Sequence, residues 1–365
     1  MKNSSLSREL SVIIITKNRP YLLRRAVNYW VSIGIKLIIV DGSDESQSSY
    51  MSVYRGSNFC YVHERSAFPK RLKTASDLIT TPYSIFISDD EFYIYTALLS
   101  CVNFLKENED YVAVNGRALG FSPVSGQLNG ISVYHEWGGR LRVESDPKTR
   151  LIQHMSNYCN SLTVSVVKTN LWQIVANLYS EYEFPIFALW EIEMNIILSF
   201  SGKSKTLDML MYLRSFGENE PIRNNIPSLT TTNDITKWWA SPHFNSQRKL
   251  FINLILLRLK SIHGGFSDDY YRNSITEAID GYRDWIMSRQ LLIPFGWIRY
   301  NITSHLNPAF KHSIKKLFFS FRRKKNCPKR IPIHEAAKLL EDDGVQIDYA
   351  GLKQIQDSIL LFEKN

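Results

Sequence analysis

Cysteine is scarce in this sequence, and no two cysteines are spaced to share a metal. The four cysteines are Cys60, Cys101, Cys159 and Cys327, and no C-x-x-C pair occurs in the 365 residues. This spacing gives neither a zinc cage nor a disulfide framework. A reducing cytoplasm is therefore the expected compartment.

Long hydrophobic runs are also absent. The first twenty residues contain one short apolar stretch before polar residues return, too short for the core of a signal peptide. No other run approaches the roughly 20 apolar residues that a membrane-spanning helix needs. We therefore expect a soluble cytoplasmic protein, or one attached peripherally to the inner face of a membrane.

Positive charge is concentrated near the end of the chain. Residues 311–330 contain nine Lys or Arg and no acid, which matches the net charge of +9. Because the rest is nearly neutral, we expect no nucleic-acid partner. Four apolar residues are interleaved with these charges, at Leu317, Phe318, Phe319 and Phe321. The pattern fits an amphipathic segment on an anionic membrane or a helix whose Phe face packs on the core, and we favour the first.

The first forty residues predict a strand, a helix and a second strand. Residues 10–16 (LSVIIIT) are apolar without alternation, as in a strand buried on both faces of a parallel sheet. Residues 21–32 have helical spacing, and residues 36–40 (KLIIV) form a second buried strand that ends in Asp-Gly-Ser-Asp. In such an α/β arrangement, ligands bind beyond the carboxyl ends of the strands.

A third apolar run, in residues 84–91 (SIFISDDE), ends directly in three carboxylates. Adjacent buried acids repel one another unless a cation or hydrogen-bond donors offset the charge, so this arrangement favours a metal. The alternative is that the acids cap a helix predicted over residues 92–106. Because these acids, Thr16 and Asp41 all follow predicted strands, we expect one crevice to collect them.

The stretches SVIIITKNRP, KLIIVDGSDE and YSIFISDDEF together resemble the nucleotide-sugar-binding half of family 2 glycosyltransferases with the GT-A fold. The resemblance covers the first third of the chain well and the middle third weakly. It implies that Thr16 and Arg19 line the nucleotide, that Asp41 accepts a hydrogen bond from the base, and that Asp90 binds a metal. The chain departs from the family pattern at Ser88, where an Asp is usual.

The other site assignments follow from this resemblance. Asp89 is expected on ribose or phosphate, Ser43 and Arg71 join the nucleotide-sugar site, and Glu91 is a second metal ligand. The expected cofactor is Mn²⁺ or Mg²⁺, because both prefer oxygen ligands and both neutralise a diphosphate leaving group. Taken by itself, Asp41-Gly42-Ser43 is also an ordinary turn.

A reaction that inverts the anomeric carbon needs a general base. The family carries an acidic pair at the start of a helix after the metal motif, and here Glu191 and Glu193 follow an aromatic-rich stretch. We assign Glu191 as the base, with Glu193 second. Both acids also fit a helix N-terminus, where they stabilise the dipole. The neighbouring Phe184, Phe187 and Trp190 form either a sugar-stacking wall or core.

The middle of the chain is rich in glycine and arginine. Residues 115–143 include Arg117, Arg140, Arg142 and the cluster at 135–137, and are predicted to form loops or hairpins over the site where acceptors bind. Residues 214–220, after a predicted strand, are a candidate lid for the diphosphate.

The predicted fold class is α/β, with a GT-A-like nucleotide-binding sheet flanked by helices and a helical C-terminal part. The predicted glycosyltransferase domain spans residues 1–230, divided into a nucleotide-sugar half (1–115) and an acceptor half (116–230). Residues 231–365 form the helical C-terminal region, which contains the basic-aromatic segment 311–330.

These observations predict a metal-dependent, hexosyltransferase-like, inverting glycosyltransferase. Its donor is a nucleotide-sugar and its acceptor is a glycan or a lipid-linked glycan, in surface polysaccharide synthesis. A nucleotidyltransferase on a related fold is the alternative, but the turn after the first strand, Thr16 to Pro20, has no glycine. A non-enzymatic membrane or nucleic-acid adaptor is the third hypothesis, and it leaves the acids at three strand ends unexplained.

Overall fold

A computed structural model describes residues 6–54, 56, 58–182, 184, 186, 188–216, 232–291 and 330–363. The strands are β1 Leu10–Thr16, β2 Lys36–Asp41, β3 Phe59–His63, β4 Tyr83–Ile87, β5 Phe92–Tyr93, β6 Tyr111–Val124, β7 Gln127–Ser132, β8 Leu141–Arg142, β9 Val166–Lys168, β10 Lys203–Ser215 and β11 Ile331–Pro332. The helices are α1 Leu6–Glu9, α2 Pro20–Ser32, α3 Ser48–Met51, α4 Phe68–Asp77, α5 Tyr95–Glu107, α6 Pro147–Ser156, α7 Thr169–Glu181, α8 Leu189–Ser201, α9 Thr232–Ala240, α10 Asn245–Ile262, α11 Asp268–Leu291, α12 Ile333–Asp342 and α13 Tyr349–Glu363.

One sheet contains these strands, and its N-terminal part is parallel. β1 lies between β2 and β4, and β3 pairs with β2 on the outside. The chain leaves β1 toward β2 on one side and later reaches β4 on the other. The connections therefore diverge at β1, which opens a crevice at the carboxyl ends of these strands.

Helices cover both faces of the sheet, which explains why its strands lack polar alternation. In β1, Val12 and Ile14 belong to the apolar cluster on one face, and Ile13 belongs to the cluster on the other. The first face carries α2, α5, α12 and α13, and the second carries α4, α6 to α8 and α9 to α11. The predicted α/β class with a sheet flanked by helices is confirmed.

The other half of the sheet is mixed. β9 is antiparallel to both β4 and β6, so β6 runs in the direction of β4. β10 lies parallel to β6 with register shifts, and its end pairs antiparallel with β5, at Tyr212 with Tyr93. This arrangement brings the end of β10 beside the acids that follow β4.

The predicted helix over residues 92–106 begins later than expected. Phe92 and Tyr93 form strand β5, and α5 begins at Tyr95 after the N-cap residue Ile94. A strand therefore separates the three acids from the helix. The capping explanation for these acids is wrong, because the pairing of β5 with β10 takes precedence over helical spacing.

The helical C-terminal part predicted from the sequence is confirmed, and its described pieces pack in two places. Helices α9 to α11 join the cluster that contains α6 and α8. Residues 330–363 return to the opposite face, where Ile331 pairs with Gly130 of β7. The Tyr21 hydroxyl donates to the Phe362 carbonyl at 3.2 Å.

Residues 311–329 of the basic-aromatic segment lie outside the described residues, and Arg330 is exposed. No described helix has the length and apolarity required to cross a membrane.

Candidate active site

The ends of β1, β2 and β4 meet at one edge of the sheet. Thr16 is the register partner of Asp41, and the Gly42 amide donates to the Thr16 carbonyl at 2.9 Å. Ile14 pairs with Ile87, so the acids after β4 lie beyond the end of β1. The structure therefore brings together the groups that the strand pattern places at three separate strand ends.

Arg19 holds the first two acids. Its Nη1 pairs with Asp89 Oδ1, and its Nη2 lies 2.9 Å from Asp90 Oδ2. The Thr16 hydroxyl donates to Asp89 Oδ2 at 2.5 Å, and the Ser88 hydroxyl donates to Asp90 Oδ1 at 2.6 Å. Both carboxylates are 1–2% exposed. The guanidinium and the two hydroxyls thus offset the cost of burying adjacent negative charges.

Burial nevertheless raises the pKa values of two of the three acids. The pKa of Asp89 rises to about 6, chiefly through desolvation, against the opposing effect of Arg19. The pKa of Glu91 rises to about 7 through desolvation and the charge of Asp90. Glu91 does not share Asp89's partners: the Tyr212 hydroxyl donates to it, and Arg214 lies near enough to lower its pKa. Glu91 therefore lies on the side of the site formed by β10.

Asp41 organises the turn after β2. Its Oδ1 accepts hydrogen bonds from the Ser43 amide at 2.9 Å and the Ser43 hydroxyl at 2.5 Å, and its Oδ2 accepts from the Tyr61 hydroxyl at 2.7 Å. Asp41 is fully buried. It shapes the turn in this structure, and its predicted hydrogen bond to a base stays a prediction.

The turns after β1 and β2 are joined to each other. Asn18 has a left-handed backbone with φ of 56°, a conformation that Asn tolerates better than most residues. Its amide donates to the Ser43 hydroxyl at 2.7 Å, and its side chain exchanges hydrogen bonds with Asp44 at 2.9 and 3.0 Å. The two turns therefore form one rigid unit beside Arg19.

Arg71, on α4, reaches into the same edge. Its Nη1 donates to the Thr16 carbonyl at 2.5 Å, and burial lowers its pKa while the charges of Asp41 and Glu64 raise it. A Cβ on Gly42 would lie 2.6 Å from the Arg71 Cζ, so only glycine leaves room for this guanidinium. Arg71 therefore lies at the edge of the sheet that carries Thr16, and its predicted contact with a nucleotide-sugar stays a prediction.

Glu191 lies in the first turn of α8, as predicted. The preceding residue, Trp190, packs on Phe86 of β4 with a ring-centre distance of 5.3 Å, which places this helix start beside the strand that carries the acids. The Tyr158 hydroxyl donates to Glu191 Oε1. Burial raises the pKa of Glu191, and this hydrogen bond lowers it.

Glu193 has a different environment. It is fully buried, and neither carboxylate oxygen has a hydrogen-bond partner among the described residues. Desolvation raises its pKa well above the usual range, because burial disfavours the charged form of the carboxyl group. This burial argues against the catalytic role predicted for Glu193.

The other residues singled out from the sequence lie in the core or have polar partners within the protein. Phe184 and Trp190 are buried core residues, and Phe187 lies outside the described residues. Arg117 pairs with Asp208, while Arg140 donates to the Asn157 carbonyl. Arg142 is half-buried on β8 and donates to the Leu141 carbonyl at 3.0 Å. The first residues of the candidate lid belong to the end of β10, and residues 217–220 lie outside the described residues.

Four partners of the site acids were not among the predicted site residues: Ser88, Tyr61, Tyr158 and Tyr212. Tyr158 and Tyr212 are close to their acid partners only in the folded protein, because each belongs to a segment that is distant from its partner in sequence. No local pattern indicates such partners. Ser88 had a signal, since a hydroxyl two residues before an acid can hydrogen-bond to it.

The three acids provide hard oxygen ligands, which suit Mg²⁺ or Mn²⁺. Among the residues that the structure describes, no group of three or more His, Cys, Asp and Glu is arranged to hold a metal. One or two of these carboxylates could bind a cation together with the oxygens of a phosphate. The roles of Asp90 and Glu91 as metal ligands stay predictions. Because Arg19 pairs with both acids, it competes for the same oxygens.

No protein-family model and no curated protein matches the chain. Among solved structures, S. aureus TarS residues 1–349 match with a TM-score of 0.43 and 14% identity, covering 77% of this chain and 91% of that chain. The same fragment in complex with UDP-GlcNAc has a TM-score of 0.44, 14% identity, and coverage of 77% and 92%. A structure of S. aureus TarS has a TM-score of 0.43 and 12% identity, covering 75% of this chain and 54% of that chain.

TarS is a GT-A-like family 2 glycosyltransferase, the kind of protein that the sequence motifs resemble. What this protein binds has to be argued from its own residues.

Proposed function

We propose that this protein is a glycosyltransferase that takes a sugar from a nucleotide-sugar and transfers it to a glycan or lipid-linked acceptor, in surface polysaccharide synthesis. The observation that carries the proposal is the pairing of Arg19 with Asp89 and Asp90 at the topological switch point of the sheet. An α/β sheet binds nucleotides at this edge. A guanidinium and a pair of carboxylates there suit a diphosphate and its counter-ion.

Each group has a role in this proposal. Arg19, which is 16% exposed, faces the crevice and pairs with the diphosphate in a bidentate manner. Thr16 and Ser43 contribute hydroxyls beside the nucleotide. Behind it, Asp41 ties β2 to β3 through the Tyr61 hydroxyl, and Arg71 ties α4 to β1 through the Thr16 carbonyl.

We include a divalent cation in the proposal. Asp90, with Glu91 or Asp89, would hold it together with the donor's phosphate oxygens, and it would neutralise the leaving diphosphate. Arg19, which pairs with Asp89 and Asp90 in this structure, would then be available to the phosphates of the donor.

Glu191 is the proposed base for an inverting, hexosyl-type transfer. Burial raises its pKa above the usual value, and a carboxylate with a higher pKa is a stronger base toward an acceptor hydroxyl. The Tyr158 hydroxyl orients the carboxylate. The position of Trp190 against Phe86 supports this role, because it sets the start of α8 beside the strand that ends at the acids.

A donor screen by thermal shift tests the function. Nucleotide-sugars and free nucleotides are added with and without Mn²⁺, because a ligand at a hundred times its dissociation constant stabilises the fold by about 2.7 kcal/mol. At least one nucleotide-sugar should raise the melting temperature of the wild type, and Asp90→Asn should abolish the Mn²⁺-dependent part. Asp110→Asn, an exposed acid paired with Lys203, is the matched control. A wild type that no nucleotide stabilises would refute the proposal.

We also propose that residues 311–330 bind an anionic membrane surface at the inner face. Nine cationic groups and interleaved Phe side chains support this, because each cation near such a surface contributes about 1 kcal/mol. Changing Arg322, Arg323, Lys324 and Lys325 to Gln should release the protein from anionic liposomes at low salt. If the wild type stays in the supernatant after sedimentation with these liposomes, the membrane proposal is wrong. The proposal for the donor site does not depend on that result.

A further inference from the structure

A chain of buried polar side chains ends at Glu191. His154 lies on α6, Tyr158 lies just after that helix, and Asn195 lies on α8 one turn beyond Glu191. His154 and Asn195 are fully buried, and Tyr158 is 6% exposed. Because residues i and i+4 of a helix lie on one face, Glu191 and Asn195 both reach Tyr158 from the same side of α8.

The contacts of the Asn195 side chain set the orientation of its amide. Its Nδ2 donates to the Glu191 carbonyl at 2.7 Å and to the Tyr158 hydroxyl at 3.4 Å. Its Oδ1 therefore faces His154 Nε2, 2.8 Å away. Burial and two arginine charges lower the pKa of His154 to about 3, so this imidazole is neutral at pH 7. An amide oxygen only accepts hydrogen bonds, so the imidazole proton lies on Nε2.

The same direction of donation continues to the carboxylate. The Tyr158 oxygen accepts from Asn195, so its own proton is directed to Glu191 Oε1, to which the hydroxyl donates. A hydrogen bond donated to a carboxylate favours the charged form. Because Oε1 is held as an acceptor, Oε2 is the oxygen left to take a proton.

We propose that Asn195 is a positioning residue for the base, which acts through Tyr158 and leaves Oε2 of Glu191 to receive the proton of the acceptor hydroxyl. His154 holds the Asn195 amide in this orientation. In the reaction, the acceptor oxygen bonds to the anomeric carbon, the diphosphate leaves with the electron pair of the broken bond, and the hydroxyl proton moves to Oε2. This inference rests on the proposed transferase function, and it adds the residue that orients the base and the atom that reacts.

Other titratable groups face this chain of side chains from neighbouring segments. They are Arg140, Arg142, Cys159 and Tyr282. All of them are retained in the variants proposed below. A change in the titration of Glu191 therefore reports the hydrogen bonds and not a change of neighbouring charge.

Carboxyl-carbon NMR of protein labelled at its Glu side chains tests the coupling without turnover, and Glu191→Gln identifies the signal. In Asn195→Leu, the Tyr158 hydroxyl is free to turn and accept a hydrogen bond from a protonated carboxyl. The titration midpoint of Glu191 should then move to higher pH by about half a unit or more. Tyr158→Phe should also move it to higher pH. Because Asn195 acts through Tyr158, the double variant should titrate as Tyr158→Phe does alone.

Asn115→Leu is the matched control. Asn115 is a buried asparagine on β6 whose Oδ1 accepts from the Thr206 hydroxyl at 2.8 Å. This change therefore removes a buried amide from a different set of hydrogen bonds, and it should leave the titration midpoint of Glu191 unchanged.

A second measurement requires no substitution at Asn195, so it applies even if Asn195→Leu fails to fold. Side-chain nitrogen NMR of histidine-labelled wild type reports which nitrogen of His154 carries the proton, and His154→Gln identifies the signal. The proton should be on Nε2 at pH 7, as donation to Asn195 Oδ1 requires.

The outcomes separate the positioning role from the transferase. A proton on Nδ1 of His154 overturns the role of Asn195, as does an unchanged titration of Glu191 in Asn195→Leu. Additive effects in the double variant, or an equal effect of Asn115→Leu, also overturn it. If these results appear while Glu191→Gln lowers turnover, only the positioning role is lost. Coupled titrations with normal turnover in Glu191→Gln would instead refute the proposed base.

Discussion

Three consecutive carboxylates are stable at the end of a buried strand because they do not share one environment. Asp89 and Asp90 divide the guanidinium of Arg19 between them, and Glu91 turns to the hydroxyl of Tyr212. The repulsion expected from their adjacency is therefore offset by partners from two different strands and a turn. The arrangement leaves Arg19 as the residue on which both buried aspartates depend.

Replacing Arg19 by Met should destabilise the fold by about 3–5 kcal/mol, the usual cost of leaving a buried charge without its partner. Urea unfolding at pH 7 measures this. Mn²⁺ should then restore more stability to the variant than to the wild type, because the cation no longer competes with the guanidinium. Arg117→Met is the control, since its partner Asp208 is 59% exposed and such pairs contribute about 0–1 kcal/mol. Equal losses in the two variants would contradict the role assigned to Arg19.

Glu191→Gln should lower turnover by about 10²-fold or more with unchanged donor affinity, if Glu191 is the base. Glu193→Gln should leave turnover unchanged, because the side chain of Glu193 is fully buried and out of reach of an acceptor. Steady-state kinetics and donor titration compare the two. Tyr158→Phe removes the hydrogen bond that lowers the pKa of Glu191. The activity of this variant should therefore begin to rise at a higher pH than the activity of the wild type. Normal turnover in Glu191→Gln would move the base elsewhere.

At the scale of elements, α6 and α8 are tied along their length by buried polar contacts. Arg150 donates to the carbonyls of Ser199 and Phe200 at 2.7 and 2.6 Å, near the end of α8. His154 shares a 2.8 Å hydrogen bond with the Asn195 side chain, one turn from Glu191. These contacts fix the position of the first turn of α8, so the proposed base is supported by an element interface and not by a loop.

His154 should make stability depend on pH. Burial and the charges of Arg140 and Arg142 lower its pKa to about 3, well below the usual value near 6.5. Below about pH 6.5 the unfolded chain binds a proton at His154, whereas the folded protein keeps the imidazole neutral. The free energy of unfolding should therefore decrease as pH falls from 6.5 toward 3, by up to about 1.4 kcal/mol per pH unit.

Unfolding at pH 7.0, 5.5 and 4.5 should show this loss in the wild type and a weaker loss in His154→Gln. The difference between the two proteins is the informative quantity, because the raised pKa values of Asp89 and Glu91 act in the opposite direction in both. His135→Gln, an exposed histidine, should follow the wild type. Parallel curves for all three proteins would exclude this role for His154.

At the scale of the whole molecule, the last described residues complete a face of the N-terminal sheet. Strand β11 extends the sheet at β7, and α12 packs so closely there that a Cβ on Gly130 would lie 2.5 Å from that of Ala336. Helix α13 reaches α2, where the Tyr21 and Phe362 rings lie 5.0 Å apart. The packing of β7 and α2 therefore depends on residues more than two hundred positions away.

Leu352→Ala should destabilise the whole fold by about 2–5 kcal/mol, because this side chain on α13 is fully buried in the cluster that contains α2 and α5. Leu339→Ala on α12 is the matched control, since Leu339 is 58% exposed and surface changes of this kind usually stay within about 0.5 kcal/mol. Denaturant unfolding should show one transition for both variants. A separate early transition in Leu352→Ala would mean that residues 330–363 unfold independently of the sheet.

The sequence by itself determined the parallel strands and the polar groups at their ends. Runs such as residues 10–16 and 36–41 are apolar without alternation, and this local pattern is sufficient because a strand buried on both faces has no polar side. Thr16, Asp41 and the acids after β4 are then placed by chain direction alone, and helices such as α2 and α10 follow from their apolar spacing.

Only the tertiary structure decided which partners these groups have. The pairing of Arg19 with both aspartates, the hydrogen bond from Tyr212 to Glu91 and the burial of Glu193 depend on elements brought together by the sheet, and no local period records them. The same holds for β5, whose pairing with β10 replaced the predicted start of a helix. Spacing along the chain reports which face of an element is buried, whereas the identity of the neighbour on that face is set by packing over the whole molecule.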